Sequence, residues 1–391
     1  MEHRELNTHI RRLITIEETE SPFVSCYVNL EHGKNGYRSA LRRRERILRK
    51  TLGGNDRRAF ECAFGAIQEF LSSGVKDTTR SVAIFSREGA SPYFLALQFR
   101  APLPTELSLE FTPNIYRLVE LKDTYHRYIL VIAFEQWARI LEVSLGAVTR
   151  QLWTERPELR KRVGREWTKL HYQSHRRDRV RKFIKETIAV VERAVSSGGH
   201  THLMLAGNPQ ITAQVRNSLP AHLAATLVDV ISASSKDRTT DVVEATLSSF
   251  IDQEELESVA AVQRLERDLR RGDLAMVGVD QCLRALRQGQ VDVLIIASSY
   301  ELPRGWSCAG CGAAGQKIKR PASCKECGAS VIHDVDVKET MIRLAEQAGS
   351  QIETVRDSAL LMRLGGVGCL LRYDKGPRVT EVPHESACST H

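Results

Sequence analysis

The sequence predicts an α/β protein of three domains with a small cysteine module in the third. Short runs of β-branched and aromatic residues alternate with amphipathic segments of helical spacing, which is typical of α/β folds. The 391 residues suffice for two or three hydrophobic cores. Four of the nine cysteines form two Cys-x2-Cys pairs close together in the chain. We predict domains at 1–113, 114–250 and 251–391, with the cysteine module at 305–331.

The first domain is predicted from strand-like runs around two helices. "FVSCYVNL" (Phe23–Leu30) is predicted as a strand from its β-branched and aromatic residues, and "SVAIFS" and "PYFLALQF" as two more strands. "GYRSALRRRERILRKTL" is predicted as a basic helix. Apolar residues recur at helical spacing in Asp56–Gly74, which we expect to be an amphipathic helix ended by Gly74.

The middle domain is predicted to begin with two strands and to continue as alternating strands and helices. "YILVIAF" (Tyr128–Phe134) and "WARILEVSL" (Trp137–Leu145) are expected to pair. Arg176–Val195 carries an apolar stripe opposite its charges and is expected to be a helix, after a basic loop that contains His171, Tyr172 and Gln173. "HLMLAG" is then expected to be a buried strand, so that part of the sheet is parallel.

The third domain is expected to open with a long helix, Asp252–Arg271. Asp280 is expected to cap the next helix, "QCLRALRQ", and Gly289 to end it. "VDVLIIA", "QIETV" and "LGGVGCLLRY" are predicted strands, and "VKETMIRLAEQAG" is a predicted helix. The tail after Gly376 is expected to be disordered.

The charge of the chain suits a polyanionic partner. The formal net charge is +8 and the pI is about 9.0, so RNA, DNA and an anionic membrane are candidates, while the alternative is a basic surface that only aids solubility. No apolar run is long enough to cross a bilayer, and the charged start shows no secretory signal. The scattered remaining cysteines do not form a disulfide framework, which favours a cytoplasmic protein.

The cysteine module has the spacing of a zinc ribbon. In "CAGCGAAGQKIKRPASCKECG" each Cys-x2-Cys turn can deliver two thiolates to one point, and a glycine after each second cysteine lets the chain fold back. Four thiolates leave no open position on the metal, so a structural rather than a catalytic zinc is predicted. The predicted Zn²⁺ ligands are Cys308, Cys311, Cys324 and Cys327.

The stretch "TKLHYQSHRRDRVRKF" (Thr168–Phe183) is the second candidate site. Eleven Lys and Arg residues between positions 160 and 185 would supply phosphate contacts, and the aromatic side chains could stack on unpaired bases. A basic solvated helix face is an equally good interpretation. A reaction centre is less favoured, because no carboxylate is placed to orient His171 or His175, although the amide of Gln173 could orient a water.

The order of these features resembles the archaeal and eukaryotic class-one peptide release factors and Pelota, and more closely the bacterial members of that superfamily, which include Balon-type ribosome hibernation factors. The segment 251–373 carries the clearest resemblance: a long helix, "GDLAMVGVDQCLRALRQGQVDVLIIA", a cysteine-bearing insertion, "VKETMIRLAEQAGSQIETV" and "LGGVGCLLRY". The resemblance implies three α/β domains in a release-factor-like arrangement, with a zinc ribbon inserted in the C-terminal domain.

Two motifs of the release factors are altered. Where the family carries Gly-Gly-Gln, this chain has His171, Tyr172 and Gln173, followed by Ser174 and a basic helix. The lost glycines would have allowed backbone angles and a close approach that His and Tyr resist. Where the family carries Asn-Ile-Lys-Ser, this chain has "KTLGGN". The resemblance therefore does not extend to peptide release or to the reading of stop codons.

The resemblance implies a ribosome-binding factor that occupies the A site of idle or stalled ribosomes and is not an enzyme. Its implied partners are ribosomal RNA, a P-site tRNA and a translational GTPase, elongation factor Tu; the chain itself has no P-loop pattern. One alternative is a peptidyl-tRNA hydrolase that uses Gln173, and another is a Pelota-like RNA-binding module or nuclease acting off the ribosome. The residues predicted to contact RNA are Lys169, His171, Tyr172, Gln173, His175, Arg176, Arg177, Arg179, Arg181 and Lys182.

Overall fold

A computed structural model describes residues 2–19, 21–31, 33–135, 137–155, 169–198, 200, 202–302, 304–316, 321–356 and 358–373. Within these ranges the chain forms four sheets and eleven helices. The predicted α/β class is confirmed. The tail after Gly376, which was expected to be disordered, lies outside the described residues.

The first sheet is antiparallel, with strand order β3-β2-β1-β4. One of its faces packs on α2 and α3, where Phe60, Phe64 and Ile67 are buried. The other face shares a core with α1 and α4, two helices that the sequence analysis did not predict. The elements are α1 (His3–Ile14), β1 (Phe23–Asn29), α2 (Gly33–Thr51), α3 (Gly54–Ser73), β2 (Ser81–Arg87), β3 (Tyr93–Phe99), β4 (Glu106–Glu110) and α4 (Tyr116–Thr124).

The second sheet has the order β7-β6-β5-β8-β9, and β5, β8 and β9 run parallel as expected. Its apolar side chains divide between the two faces: Ile129 and Val131 face α5 and α6, whereas Tyr128 and Leu130 face α8. The elements are β5 (Tyr128–Ala133), β6 (Ala138–Ser144), β7 (Ala147–Glu155), α5 (Lys169–Gly198), β8 (His202–Gly207), α6 (Pro209–Ser218), α7 (Ala221–Ala224), β9 (Leu227–Ser232) and α8 (Thr239–Arg271).

The third sheet has the order β10-β16-β11-β15, with β11 and β15 parallel. It lies between the C-terminal half of α8 on one face and α9 and α10 on the other. The small fourth sheet, β13-β12-β14, carries the cysteines, and its last strand lies beyond the predicted end of the module at Val331. The elements are β10 (Ala275–Val277), α9 (Val279–Arg287), β11 (Val291–Ala297), β12 (Gly305–Cys308), β13 (Ala314–Gln316), β14 (Ile332–Val335), α10 (Val337–Ala348), β15 (Gln351–Val355), α11 (Ala359–Arg363) and β16 (Val367–Leu371).

The helix α8 differs from its prediction because it begins at Thr239 rather than Asp252. Its first half buries Phe250 in the core of the second sheet, and its second half buries Val262 and Leu265 in the core of the third. The earlier start follows from the sequence, because no Gly or Pro interrupts 239–271 and Gly272 ends the helix in a left-handed conformation. The domain boundary predicted at residue 250 thus falls inside a continuous helix.

Asp280 was predicted to cap α9, and this is wrong. The helix begins at Val279 with Gly278 at the N-cap, and Asp280 is its second residue. Asp280 Oδ1 instead accepts a hydrogen bond at 3.1 Å from the backbone N–H of Gln316 in β13. Gly278, with its positive φ, takes the N-cap position, so the helix starts two residues earlier than predicted and the Asp280 carboxylate is free to hold the small sheet.

The helix α10 joins the first unit to the third. Arg343 donates to the carbonyl oxygens of Ile14 at 3.0 Å and Pro113 at 2.6 Å. Glu339 accepts the backbone N–H groups of Ile115 and Tyr116 at 3.0 and 2.9 Å. Since both side chains are largely buried, these charge-assisted bonds fix α1 and α4 on the third unit.

None of the helices in the described ranges is both long and apolar enough to span a bilayer.

Candidate functional site

The four predicted metal ligands lie together at one end of the small sheet. The Sγ atoms of Cys308 and Cys327 are 3.5 Å apart, and those of Cys311 and Cys324 are 3.6 Å apart. All four sulfurs lie within 4.8 Å of one another. A tetrahedral zinc with Zn–S bonds of about 2.3 Å places its sulfurs about 3.8 Å apart. The cluster therefore fits one tetrahedral metal ion without a rearrangement of the backbone.

Two matching turns position these thiolates. Gly312 N–H donates to Cys308 O, and Gly328 N–H donates to Cys324 O, both at 2.9 Å. The two glycines have φ values of +68° and +74°, which L side chains rarely adopt. Each Cys-x2-Cys-Gly segment thus folds into the same knuckle, as its spacing predicted.

The thiol of Cys324 has a lowered pKa, which favours its thiolate form. Hydrogen bonds from the backbone N–H groups of Cys327 and Glu326 lower the pKa of Cys324 to about 7. A thiolate is the form that binds a metal. The donor set, the distances and this pKa together describe a site that could hold a metal ion.

The cysteine sheet is docked on α9. Arg287 makes two hydrogen bonds of 2.9 Å to the carboxylate of Glu326, which lies between Cys324 and Cys327. Asp280 holds the backbone of Gln316 at the other end of the small sheet. The cysteine cluster is therefore attached to the third unit at both ends of the small sheet.

The second candidate site is the basic segment around α5. The helix was expected to begin at Arg176, after a loop that contains His171, Tyr172 and Gln173; the structure shows a helical backbone from Lys169, so this expectation is wrong. The segment 169–177 contains no Gly or Pro that would interrupt a helix. The side chains of Lys169, His171, Tyr172, Gln173, His175, Arg176 and Arg177 lie outside the described residues, so their predicted roles remain predictions.

The described part of α5 separates an apolar face from a cationic one. Phe183, Ile184 and Val191 are buried against the second sheet, and Phe183 packs on Trp153 with ring centroids 5.8 Å apart. On the opposite face Arg179, Arg181, Lys182 and Lys185 are exposed. Among the described residues, only Lys182 of these four has a carboxylate partner, Glu186 at 3.8 Å. Most of this positive charge is thus not neutralised by the carboxylates that the structure describes.

A cleft of about 510 Å³ runs between α5 and α6. Arg181 and Lys185 line one side, and the polar side chains of Gln214 and Asn217 line the other. Cations beside amide groups suit a phosphate backbone, which they can contact without reading sequence.

A second cationic surface lies on α2, which the sequence predicted as a basic helix but not as a site. Arg38, Arg42, Arg43 and Arg46 are exposed there, and within the part of the chain that the structure describes none of them pairs with a carboxylate. The density of arginines in the α2 sequence was the signal that could have indicated this surface. The "KTLGGN" segment lies at the end of this helix, where the chain turns from α2 into α3.

The fold and these sites define a class of multi-unit α/β proteins with a cysteine metal knuckle and basic helices. Residues 113–250 match the family described as bacterial archaeo-eukaryotic release factor family 10. The chain is 32% identical over 118 residues to peptide chain release factor subunit 1 of Pyrococcus abyssi, and 30% identical over 144 residues to that of Methanocaldococcus jannaschii. These matches cover 26% and 31% of this chain, and only 28% and 34% of the relatives.

Solved structures of the same group are similar at a low level. A crystal structure of an archaeal translation termination factor has 16% identity and a TM-score of 0.28, covering 95% of this chain and 99% of that one. Pelota of Archaeoglobus fulgidus has 15% identity and a TM-score of 0.36, with 75% and 80% covered. The predicted resemblance to the release factor and Pelota superfamily is confirmed by the match of residues 113–250 to the family 10 model and by the identity to peptide chain release factor subunit 1.

Proposed function

We propose that this protein is a ribosome-binding factor that occupies the A site of idle or stalled ribosomes in the cytoplasm, as the Balon-type members of its superfamily do. The observation that carries the proposal is the exposed, largely unneutralised cationic face of α5 in the release factor domain. Such a face binds polyanions strongly, without sequence preference and with a steep dependence on salt. Ribosomal RNA and the phosphates of a P-site tRNA are the polyanions that a release-factor-like protein would meet.

The proposed factor binds without catalysing peptide release. His171 and Tyr172 stand where the release factors have two glycines, and the backbone there is helical. Side chains at both positions oppose the close backbone approach that glycine permits. In the proposal the segment wedges between nucleotides and Gln173 does not activate a water.

The arginine-rich face of α2 is, in this proposal, a second RNA contact. It lies in the first unit, on a different sheet from α5, so the two surfaces would hold the protein at two separate places on the ribosome. A partner GTPase, elongation factor Tu, is proposed from the resemblance. The ion at the cysteine site is proposed to be zinc, which would stabilise the small sheet rather than react.

The test is binding to purified 70S ribosomes at several salt concentrations. Each phosphate contact that is lost should flatten the dependence of log K on log salt by roughly 0.7–0.9. The test variant replaces Arg176, Arg177, Arg179 and Arg181 by Ala, and it should bind 70S ribosomes more weakly and with a shallower salt dependence. The matched control replaces four arginines on α8 by Ala: Arg264, Arg267, Arg270 and Arg271.

The alternatives give different results. The native protein is added to ribosomes that carry peptidyl-tRNA, and peptide release is measured. Release by the native protein that is lost in Gln173→Ala would show that the protein is a peptidyl-tRNA hydrolase and not a non-catalytic binder. Equal binding of the native protein and the α5 variant would show that the cationic face is only solvated. Binding to RNA but not to 70S particles would favour a Pelota-like module acting off the ribosome.

A further inference from the structure

A second cluster of potential metal ligands lies where the middle sheet meets α8. His126 precedes β5, and His202 is the first residue of β8. These two strands are parallel neighbours, so both histidines lie at the N-terminal ends of the strands, where Tyr128 pairs with His202. Glu254 reaches these strand ends from α8. Three residues that are far apart in sequence are thereby brought to one point.

The three side chains converge on a single carboxylate oxygen. Glu254 Oε1 lies 3.2 Å from His126 Nδ1 and 3.9 Å from His202 Nε2. The ligand atoms all lie within 4.8 Å of one another. Ligands of a tetrahedral zinc with bonds of about 2.0–2.1 Å lie about 3.3 Å apart, so a small convergence of these side chains would complete the geometry.

The far side of His126 lies beside a carboxylate, just outside hydrogen-bond distance. Its Nε2 faces Asp123 Oδ1 at 4.0 Å. Asp123 is in turn held by Thr354, whose backbone N–H and hydroxyl donate to Oδ2 at 2.7 and 2.5 Å. Metal-bound histidines commonly direct their second ring nitrogen at a carboxylate, which fixes the ring orientation. This contact leaves Nδ1 of His126 as the nitrogen that faces Glu254.

The surroundings carry an excess of carboxylates. Glu257 Oε1 lies 3.4 Å from His202 Nε2, and Glu353 is hydrogen-bonded to Ser258 at 2.5 Å. Two cations close to His126 in the sequence have carboxylate partners outside the cluster: Lys122 pairs with Glu346, and Arg127 with Glu142. A dication at this point would offset the mutual repulsion of the carboxylates.

We propose that His126, His202 and Glu254 bind a divalent transition metal ion, with Asp123 as the residue that positions His126. Two imidazoles and one carboxylate favour zinc over magnesium or calcium, which prefer oxygen ligands alone. The site would be distinct from the cysteine cluster and independent of the proposed ribosome binding.

The ion would bind α8 between the segments that this helix buries in two different hydrophobic cores. Phe250 of α8 is buried with the second sheet, and Val262 is buried with the third. Glu254 lies between them on the same helix. A metal that joins Glu254 to the two histidines would fix the middle sheet to α8 at the point where this helix leaves it.

The test counts metal equivalents in the full, tag-free chain. Protein stripped with a chelator is titrated with Zn²⁺ and separately with Co²⁺, and the bound metal is measured after desalting. The native chain should retain two equivalents, and only one of the cobalt equivalents should produce the thiolate charge-transfer band. Excess Mg²⁺ should not displace the cobalt equivalent that lacks the thiolate band.

Glu254→Gln should lower the content to one equivalent and leave the thiolate band unchanged. The matched control is His222→Asn, which removes an exposed histidine with a similar contact, 3.4 Å to Glu192. This control should retain two equivalents. One equivalent in the native chain would overturn the proposal, as would two in a folded Glu254→Gln variant. If the Glu254→Gln variant does not fold, the cobalt titration of the native chain still tests the proposal. A second cobalt equivalent that increases the thiolate charge-transfer band would overturn it.

Discussion

The two candidate metal sites of this protein are built in opposite ways. The cysteine cluster takes all its ligands from two adjacent knuckles in one small sheet. The histidine–glutamate cluster takes them from the loop before β5, from β8 and from α8. Metal in the first site can stabilise only a local module, whereas metal in the second would join elements that lie far apart in the sequence. Four expected effects test this difference, from the largest to the smallest.

Replacing one cysteine should have the largest effect, confined to the small sheet. Cys324→Ser removes one of four ligands from a site whose metal binding supplies folding free energy, of order 10–16 kcal/mol in isolated zinc-finger peptides. We expect the loss of one metal equivalent, and rapid hydrogen exchange in residues 305–335 with little change in β5 and β8. Cys62→Ser, at an exposed cysteine on α3, is the control. Loss of protection throughout the chain would contradict a local role.

Weakening the orientation of His126 should have an intermediate effect. Asp123→Asn keeps the size of the side chain but removes its charge, and loss of such a partner costs roughly 10–100-fold in metal affinity. Titration with Zn²⁺ should show weaker binding of the second equivalent and unchanged binding at the cysteines. Asp77→Asn, at an exposed position, should change neither. Equal weakening of both equivalents would disprove the separation of the two sites.

Removing a hydroxyl at the junction should cost less. Ser258 on α8 donates to Glu353 in β15 at 2.5 Å, in a buried setting, and a hydrogen bond to a charged group contributes about 1.5–3 kcal/mol. Ser258→Ala should lower the free energy of unfolding by about that amount in urea denaturation. Ser72→Ala, on the exposed face of α3, should have almost no effect. Equal stability of the two variants would show that this contact does not hold α8 to the third sheet.

The smallest effect is expected where the cysteine sheet docks on α9. Arg287 pairs with Glu326, which is more than half exposed, and solvent screening makes the contribution of such an exposed ion pair to stability small. Arg287→Ala should therefore slightly increase hydrogen exchange in the small sheet and leave the metal content unchanged. Arg284→Ala, one turn earlier on the same helix, is the control. Metal loss in Arg287→Ala would mean that docking and metal binding are coupled.

The same difference explains what the sequence could predict. The cysteine site was predictable because its four ligands and both glycines lie within one short segment, and the structure brings them together. The strands around Tyr128 and Val291 were predictable from their apolar, β-branched residues. The histidine–glutamate cluster was not, because it depends on which strands become neighbours and on where α8 passes.

Other errors came from local signals that were too weak. The long helix was predicted to begin at Asp252, although it begins at Thr239, where its buried residues belong to a different core. Asp280 had the right residue type for a cap, but Gly278 started the helix earlier. For the basic segment, charge density indicated a binding surface, yet the face of α5 that would carry it became known only from the burial of Phe183 and Ile184.

The length of α8 has a mechanical consequence. One uninterrupted rod is anchored in two hydrophobic cores, so its ends cannot swivel independently unless the rod bends or leaves one core. One residue inserted between the two anchors would turn one end by about 100° and advance it by about 1.5 Å. The number of residues between the two anchors thus sets how the second sheet is oriented relative to the third sheet and the cysteine module.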